Sequence, residues 1–261
     1  HGCVSGFGWR GGGDRADAVR GFRLQRDGHV KAGSGRPRKL LLWDIDGTIL
    51  HTGKAGETAL GHAMQKLHGV TRGLQGLEIA GRTDKWIVEQ LLARDGFPHG
   101  EREIARFLDV YVERLAEELP RRQGGLHPGI LGILEEAHRR PDLVQGLLTG
   151  NIEKGARLKL SRYGVNHYFE FGAFADDSAI RNELGPHAKR RARDRHGEEF
   201  SPDRIYIIGD TPHDVACARA IGAKAIAVAT GGFSVGQLEA CGADAVFTDL
   251  GHPESFFRLL S

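Results

Sequence analysis

Short apolar runs that stop on small or acidic residues, each followed by a segment of helical periodicity, set the pattern of this 261-residue chain. Leu40-Leu41-Leu42-Trp43, Gly146-Leu147-Leu148 and Ile205-Tyr206-Ile207-Ile208 lack polar alternation, as strands of a parallel sheet covered on both faces do. The first stops at Asp44-Ile45-Asp46-Gly47-Thr48, the second at Thr149-Gly150-Asn151 and the third at Gly209-Asp210-Thr211-Pro212-His213-Asp214. Ile152 to Tyr163 reads as the helix after the second exit. Pro212 suits the first turn of a helix that Asp210 or Thr211 can cap. Lys224 to Ala229 predicts a further strand with the exit Thr230-Gly231-Gly232, Ala243 to Phe247 a short final edge strand, and Pro253 to Leu260 a closing helix.

Between the first two exits the period changes. Gly56 to His68, Asp84 to Arg94 and Glu101 to Leu119 carry apolar residues at helical spacing. The third does so most clearly, at Ile104, Phe107, Leu108, Tyr111, Val112, Leu115 and Leu119. Pro120 and the polar run 121–125 end this stretch, and Leu126-His127-Pro128-Gly129 leads into a helix over Ile130 to Arg139. The pattern predicts an α/β fold: a parallel sheet built from residues 38–51 and 125–261, interrupted by an all-helical module over 52–124. Strand ends of a parallel sheet lie side by side, which gathers Asp44, Asp46, Thr149, Asp210 and Asp214 into one cleft at the carboxyl edge. Two carboxylates at i and i+2 there bind a divalent cation or act as nucleophile and acid/base; Asp-Gly is also ordinary turn chemistry.

Composition narrows the setting. Hydrophobic residues make up 40% and charged residues 27%, an ordinary globular balance. A net charge of +2 gives no electrostatic case for a nucleic-acid partner. Cys3, Cys217 and Cys241 form no CxxC pair, and an odd count suits free thiols in a reducing cytoplasm. Thirteen histidines without HxH or HExxH spacing speak against zinc. No apolar run reaches membrane-spanning length. Residues 1–37 are dense in Gly and Arg, lack the apolar core of a signal peptide, and read as a disordered or non-native extension without a catalytic role. Asp14, Asp17 and Asp27 argue against organelle targeting.

From residue 38 onward the chain resembles the haloacid dehalogenase-like hydrolase superfamily, within it the phosphoglycolate phosphatase-like group. The likeness rests on Asp44-Ile45-Asp46-Gly47-Thr48, Thr149-Gly150-Asn151 and the span Gly209 to Asp214, in that order. The resemblance implies a Rossmann-like catalytic core under an inserted helical cap, with Mg²⁺ as cofactor. It implies that Asp44 binds the metal and attacks phosphorus. Asp210 is then the second carboxylate ligand, and Asp46 a ligand through its backbone carbonyl. The Asp46 side chain serves as general acid and base. Thr149, Gly150 and Asn151 hold phosphoryl oxygens, while Asp214 orients the ligands from behind.

The family's phosphate-neutralising base stands in Asp177 to Lys189, where no Lys-Pro occurs. Arg181 is favoured, with bidentate reach that lysine lacks; Lys189, on a basic helix, is the alternative. In the cap, Ala80-Gly81-Arg82-Thr83-Asp84 places Arg82 to grip a substrate carboxylate or phosphate, and His51, Thr52 and Lys54 form the hinge. Trp43 reads as sheet core. Asp46 argues against dehalogenation, which has no leaving alkoxide to protonate. The expected activity is hydrolysis of a phosphomonoester through an aspartyl-phosphate on a small phosphorylated metabolite, phosphoglycolate-like by resemblance. A β-phosphoglucomutase-like phosphomutase, a dehalogenase and a non-catalytic relative are the alternatives. The exact phosphoester and the oligomeric state stay open.

Overall fold

Residues 37–261 are described by the structure, a computed structural model; the extension read over residues 1–37 lies outside the described residues except for its last position. The strands, in chain order, are β1 (Lys39–Trp43), β2 (Leu50–His51), β3 (Gly125–Leu126), β4 (Leu143–Leu148), β5 (Gly172–Ala173), β6 (Ile205–Gly209), β7 (Lys224–Val228) and β8 (Ala245–Phe247). The helices are α1 (Ala55–His68), α2 (Asp84–Arg94), α3 (Glu101–Glu118), α4 (Ile130–Arg139), α5 (Glu153–Arg162), α6 (Leu184–His196), α7 (Pro212–Ala220), α8 (Val235–Ala240) and α9 (Pro253–Leu259).

The apolar runs become the inner strands of a six-stranded parallel sheet ordered β5-β4-β1-β6-β7-β8. Alternation along β1 shows why its run has no polar member. Leu41 and Trp43 join Ile133, Leu134, Leu160 and Phe256 on one face, while Leu40 and Leu42 join Leu184, Ala188, Val215 and Ala218 on the other. Trp43 is fully buried and stacks on Phe256 at 5.5 Å, a core residue as expected. Trp43 lies opposite Leu147 and Ile208, so the three motifs leave the sheet at nearly one level.

The inserted helices α1–α3 share their own apolar cluster, which includes Ala59, Met64, Val88, Leu91, Phe107 and Leu115 and takes in Ile152 and Ala175 from the sheet-bearing part. Each fully buried Leu or Phe of this kind contributes roughly 1.5–3 kcal/mol. The short antiparallel pair β2–β3 joins the two ends of the insertion, Leu50 opposite Leu126 and His51 opposite Gly125. Gly53 and Lys54, with φ of 58° and 68°, turn the chain sharply into α1.

Two elements differ from the apolar pattern. Strand β4 begins three residues before Gly146, because Gln145 is buried within it and its Nε2 donates to the Leu134 carbonyl at 3.1 Å. Strand β5, only two residues long, has no period to read. Among the described residues no helix is long and apolar enough to cross a membrane.

Candidate active site

The carboxyl ends of β1, β4 and β6 open into a cleft of about 530 Å³, whose opposite wall comes from α1, the 79–84 loop and α3. Asp44, directly after β1, is 4% exposed, and its backbone N–H donates to the Ile208 carbonyl at 2.9 Å. Its Oδ1 lies 2.9 Å from Nη2 of Arg181, which also meets Oδ1 of Asp214 at 2.5 Å. Arg181 is buried in the single 3₁₀ turn Arg181–Glu183 before α6, and its Nη1 donates to the Gly81 carbonyl at 3.3 Å. Burial opposes its positive charge, but Asp214 and Asp44 outweigh that cost and raise its pKa. Burial pushes Asp44 up to about 6; Arg181 pulls it down, and the charges of Asp214 and Asp46 push the same way as burial. Lys189 sits elsewhere, along a groove with Pro186, Arg190 and Arg193.

Asp210 follows β6 and accepts a hydrogen bond from Thr48 Oγ1 at 3.1 Å. Burial, then the charges of Asp44 and Asp214, hold its carboxyl well above the usual carboxylate range. Gly47, at φ 85°, and Gly231 are spaces that Asp210 fills: a Cβ on either would collide with its Oδ2. One oxygen each of Asp44, Asp210 and Asp214 lies within 4.8 Å of the others. Asp214 does not border the cleft. Its Oδ2 accepts the Thr211 N–H at 3.0 Å and hydroxyl at 2.7 Å at the start of α7, while its Oδ1 faces Arg181. Asp44 and Asp210 are therefore the pair open to a cation. A hard-oxygen pair of this kind, with Asp210 held between two glycines, fits the one or two carboxylates that Mg²⁺ usually takes from a protein.

Asp46 borders the cleft with its side chain 42% exposed. Its Oδ2 accepts from Asn151 Nδ2 at 2.8 Å and from Lys159 Nζ at 2.6 Å. Thr149 is fully buried and its Oγ1 accepts from Asn151 Nδ2 at 2.9 Å. Gly150 packs against Arg181 and the Arg82 carbonyl. The 81–84 segment of the insertion is tied to two segments of the sheet-bearing part: Gly81 to Arg181 and Thr83 Oγ1 to the Ala179 carbonyl at 2.6 Å, both between β5 and α6, and the Asp84 N–H to the Gly150 carbonyl after β4 at 2.7 Å. Thr83 caps α2, which frees Asp84 Oδ2 to accept the Ile152 N–H at 2.8 Å. Arg82 stacks over Trp86 at 4.5 Å on the cleft wall, which His51, Thr52 and Lys54 also border.

The model of the haloacid dehalogenase-like hydrolase family matches residues 41–219, from the first strand to the end of the helix that follows Asp210. The chain belongs to this family of hydrolases. CbbY from Rhodobacter sphaeroides in complex with phosphate is similar at 19% identity and a TM-score of 0.67, over 82% of this chain and 96% of that one. A hydrolase from Pseudomonas syringae matches at 19% and 0.66, over 86% and 100%. A predicted phosphoglycolate phosphatase from Haemophilus somnus 129pt matches at 16% and 0.62, over 84% and 98%. No curated protein sequence matches the chain.

Lys159 is a cleft residue of this hydrolase that sequence reasoning passed over, and Asp84 one that it placed only in the Ala80–Asp84 cap segment. Both are buried, and burial raises the Asp84 carboxyl to about 6, with Lys159 drawing it back. The signal for Lys159 was its place on the apolar face of α5, at i+3 from Ala156 and beside Leu160.

The raised carboxyls make a stability prediction. Asp44, Asp84 and Asp210 keep protons in the folded state at pH values where the unfolded chain has lost them. Their contribution to stability therefore falls as pH rises from about 4 to above 6. Carboxylates held low by arginines, such as Asp142 and Asp177, act oppositely at the acid end of that range. Comparison with a variant isolates the effect. In EDTA, Asp210→Asn is expected to gain Tm relative to the parent as pH rises from about 5 to 7. Parallel melting curves for the two proteins across that range would refute it.

Proposed function

We propose that this hydrolase removes the phosphoryl group of a small phosphorylated metabolite through an aspartyl-phosphate on Asp44. The observation that carries this reading is the contact of a single buried guanidinium, Arg181, with Asp44 beside Asp210, while Asp46 borders the same cleft. A phosphomonoester is dianionic, and an anionic nucleophile approaches it only where positive charge is already in place. Arg181 supplies part of that charge without leaving Asp44. The carboxylates of Asp44 and Asp210 and the backbone carbonyl of Asp46 would hold Mg²⁺, which when bound screens the phosphoryl charge.

Asp44 attacks phosphorus while the bond to the leaving oxygen breaks, and Asp46 gives that oxygen its proton. Asp46 then takes a proton from water as the water attacks phosphorus and releases Asp44. Thr149 and the main-chain N–H groups of Gly150 and Asn151 hold phosphoryl oxygens between the two steps. Helices α1–α3, over 52–124, act as a cap that excludes water. Arg82 and Lys54 on the cleft wall offer cations for a second anionic group on the substrate, as a phosphoglycolate-like compound carries. The free thiols of Cys217 and Cys241 suit a reducing cytoplasm.

Purified protein is expected to hydrolyse p-nitrophenyl phosphate with Mg²⁺ and to lose at least about 10²-fold in rate in EDTA, the scale of losing one well-placed charge stabiliser. Turnover indifferent to EDTA, or halide release from haloacids without phosphate release, would overturn the reading. A panel of small phosphoesters with and without a second anionic group then ranks substrates by kcat/KM.

A further inference from the structure

We propose that Lys159 is a positioning residue for Asp46, a role that rests on the phosphatase reading above. Lysines are almost never this deeply buried without a partner, and Lys159 is 4% exposed in the middle of α5. Its ammonium donates to Asp46 Oδ2 and to Asn151 Oδ1, both at 2.6 Å. Asn151 Nδ2 in turn donates to the same Asp46 Oδ2 at 2.8 Å. The three side chains close a ring. An ammonium has no acceptor, so Asn151 must turn its oxygen towards Lys159 and its amide nitrogen towards Asp46. Lys159 thus fixes Asp46 twice, once directly and once by setting the Asn151 amide.

The consequence falls on the two oxygens of Asp46 unequally. Oδ2 receives both donors, whereas Oδ1 receives none among the described residues, and the side chain is open to the cleft. Oδ2 is the anchor and Oδ1 the atom that exchanges protons. A carboxylate in the loop after a strand otherwise turns freely about its side-chain bonds, and proton transfer needs hydrogen-bond reach at each step. The ring also spans the exits of β1 and β4. Lys159 Nζ and the Tyr111 hydroxyl both come close to Gly56 of α1, so the ring lies at the seam with the inserted helices. Its removal should slow the steps in which Asp46 moves a proton and spare the attack by Asp44.

Rapid quench with two leaving groups tests this. With p-nitrophenyl phosphate, whose phenoxide leaves with little help, Lys159→Met is expected to form phosphoenzyme within about 3-fold of the parent rate. Hydrolysis of that phosphoenzyme should fall by about 10²-fold, so that it accumulates. With a simple alkyl phosphate, phosphoenzyme formation itself should fall by a similar factor. In an Asp46→Asn background, Lys159→Met should add no further loss, because the residue acts through Asp46. Should the Met variant fail to fold, Lys159→Arg carries the same test: it keeps the charge, displaces the nitrogen and is expected to slow the same two steps. A loss that multiplies that of Asp46→Asn, or a rise in KM with kcat unchanged, overturns the proposal in favour of a structural role or a direct substrate contact. Absence of any phosphoenzyme in the parent protein overturns the phosphatase reading itself and is a distinct result.

Discussion

Asp44→Asn is expected to lower kcat for p-nitrophenyl phosphate by at least about 10⁴-fold, the scale of losing a residue that acts at the centre of a covalent mechanism. The substitution keeps the shape of the side chain and removes only the anionic nucleophile. Arg181 keeps its second partner, Asp214, so it is not left buried without a counter-charge. Burial and the neighbouring carboxylates already lift Asp44 to about 6, so the folded state bears a cost for its charge at neutral pH that an amide does not impose. Melting temperature is therefore expected to rise in EDTA at neutral pH as activity disappears. A stable, inactive variant that retains no acid-stable phosphoryl label is the expected result. Residual turnover above about 1% of the parent would show that another group attacks phosphorus.

The strand exits were legible because a strand covered on both faces is largely apolar until it ends, with the buried Gln145 of β4 an exception whose amide finds a main-chain carbonyl. Asp44, Thr149 and Asp210 each mark such an end, and a parallel sheet can only bring those ends together. Arg181 came instead from the resemblance, as the basic residue at the family's position ahead of the next helix, and it lies 2.9 Å from Asp44. The partners of these residues were not legible. Lys159 lies among Glu153, Lys154, Arg157 and Arg162 and reads locally as one more charge on a solvated helix; only its phase with Ala156 and Leu160 sets it apart. In sequence either Thr83 or Asp84 can cap the helix that follows; Thr83 makes the cap, and nothing local shows that Asp84 reaches a main-chain N–H 68 positions away. Gly231 reads in sequence as part of a strand exit, and it is the position of Asp210, whose Oδ2 a Cβ there would strike, that makes it a point of close approach. Local periodicity locates elements and their ends. It carries no information on which polar group from a distant element will face which, and the site is composed of such pairings.

Arg181→Met is expected to destabilise the metal-free protein by about 3–5 kcal/mol at neutral pH, the cost of breaking a buried ion pair by removing one partner. Asp44 and Asp214 have side chains 6% and 3% exposed, and Arg181 is the cation that both contact. Without it the carboxyl of Asp44, already lifted to about 6, rises further. Its folded form then holds a proton to higher pH. The stability defect should therefore be smallest in acid and grow as pH rises past about 6, while the acid limb of kcat/KM moves to higher pH. Loss of the phosphate-facing charge should lower kcat by a further 10²–10³-fold or so. Asp214→Asn in the same chain is expected to restore part of the stability and none of the activity, because it removes a stranded charge without replacing the cation. Arg181→Lys separates the remaining contact. A single ammonium can satisfy Asp44 and Asp214 but cannot also hold the Gly81 carbonyl, which the second guanidinium nitrogen reaches at 3.3 Å. That variant should keep most of the stability and lose the link between the catalytic carboxylates and the 81–84 loop. Its defect should then appear in KM and in faster proteolysis of the inserted helices more than in the chemical step. Urea midpoints across pH, read beside kcat and KM, distinguish the three variants.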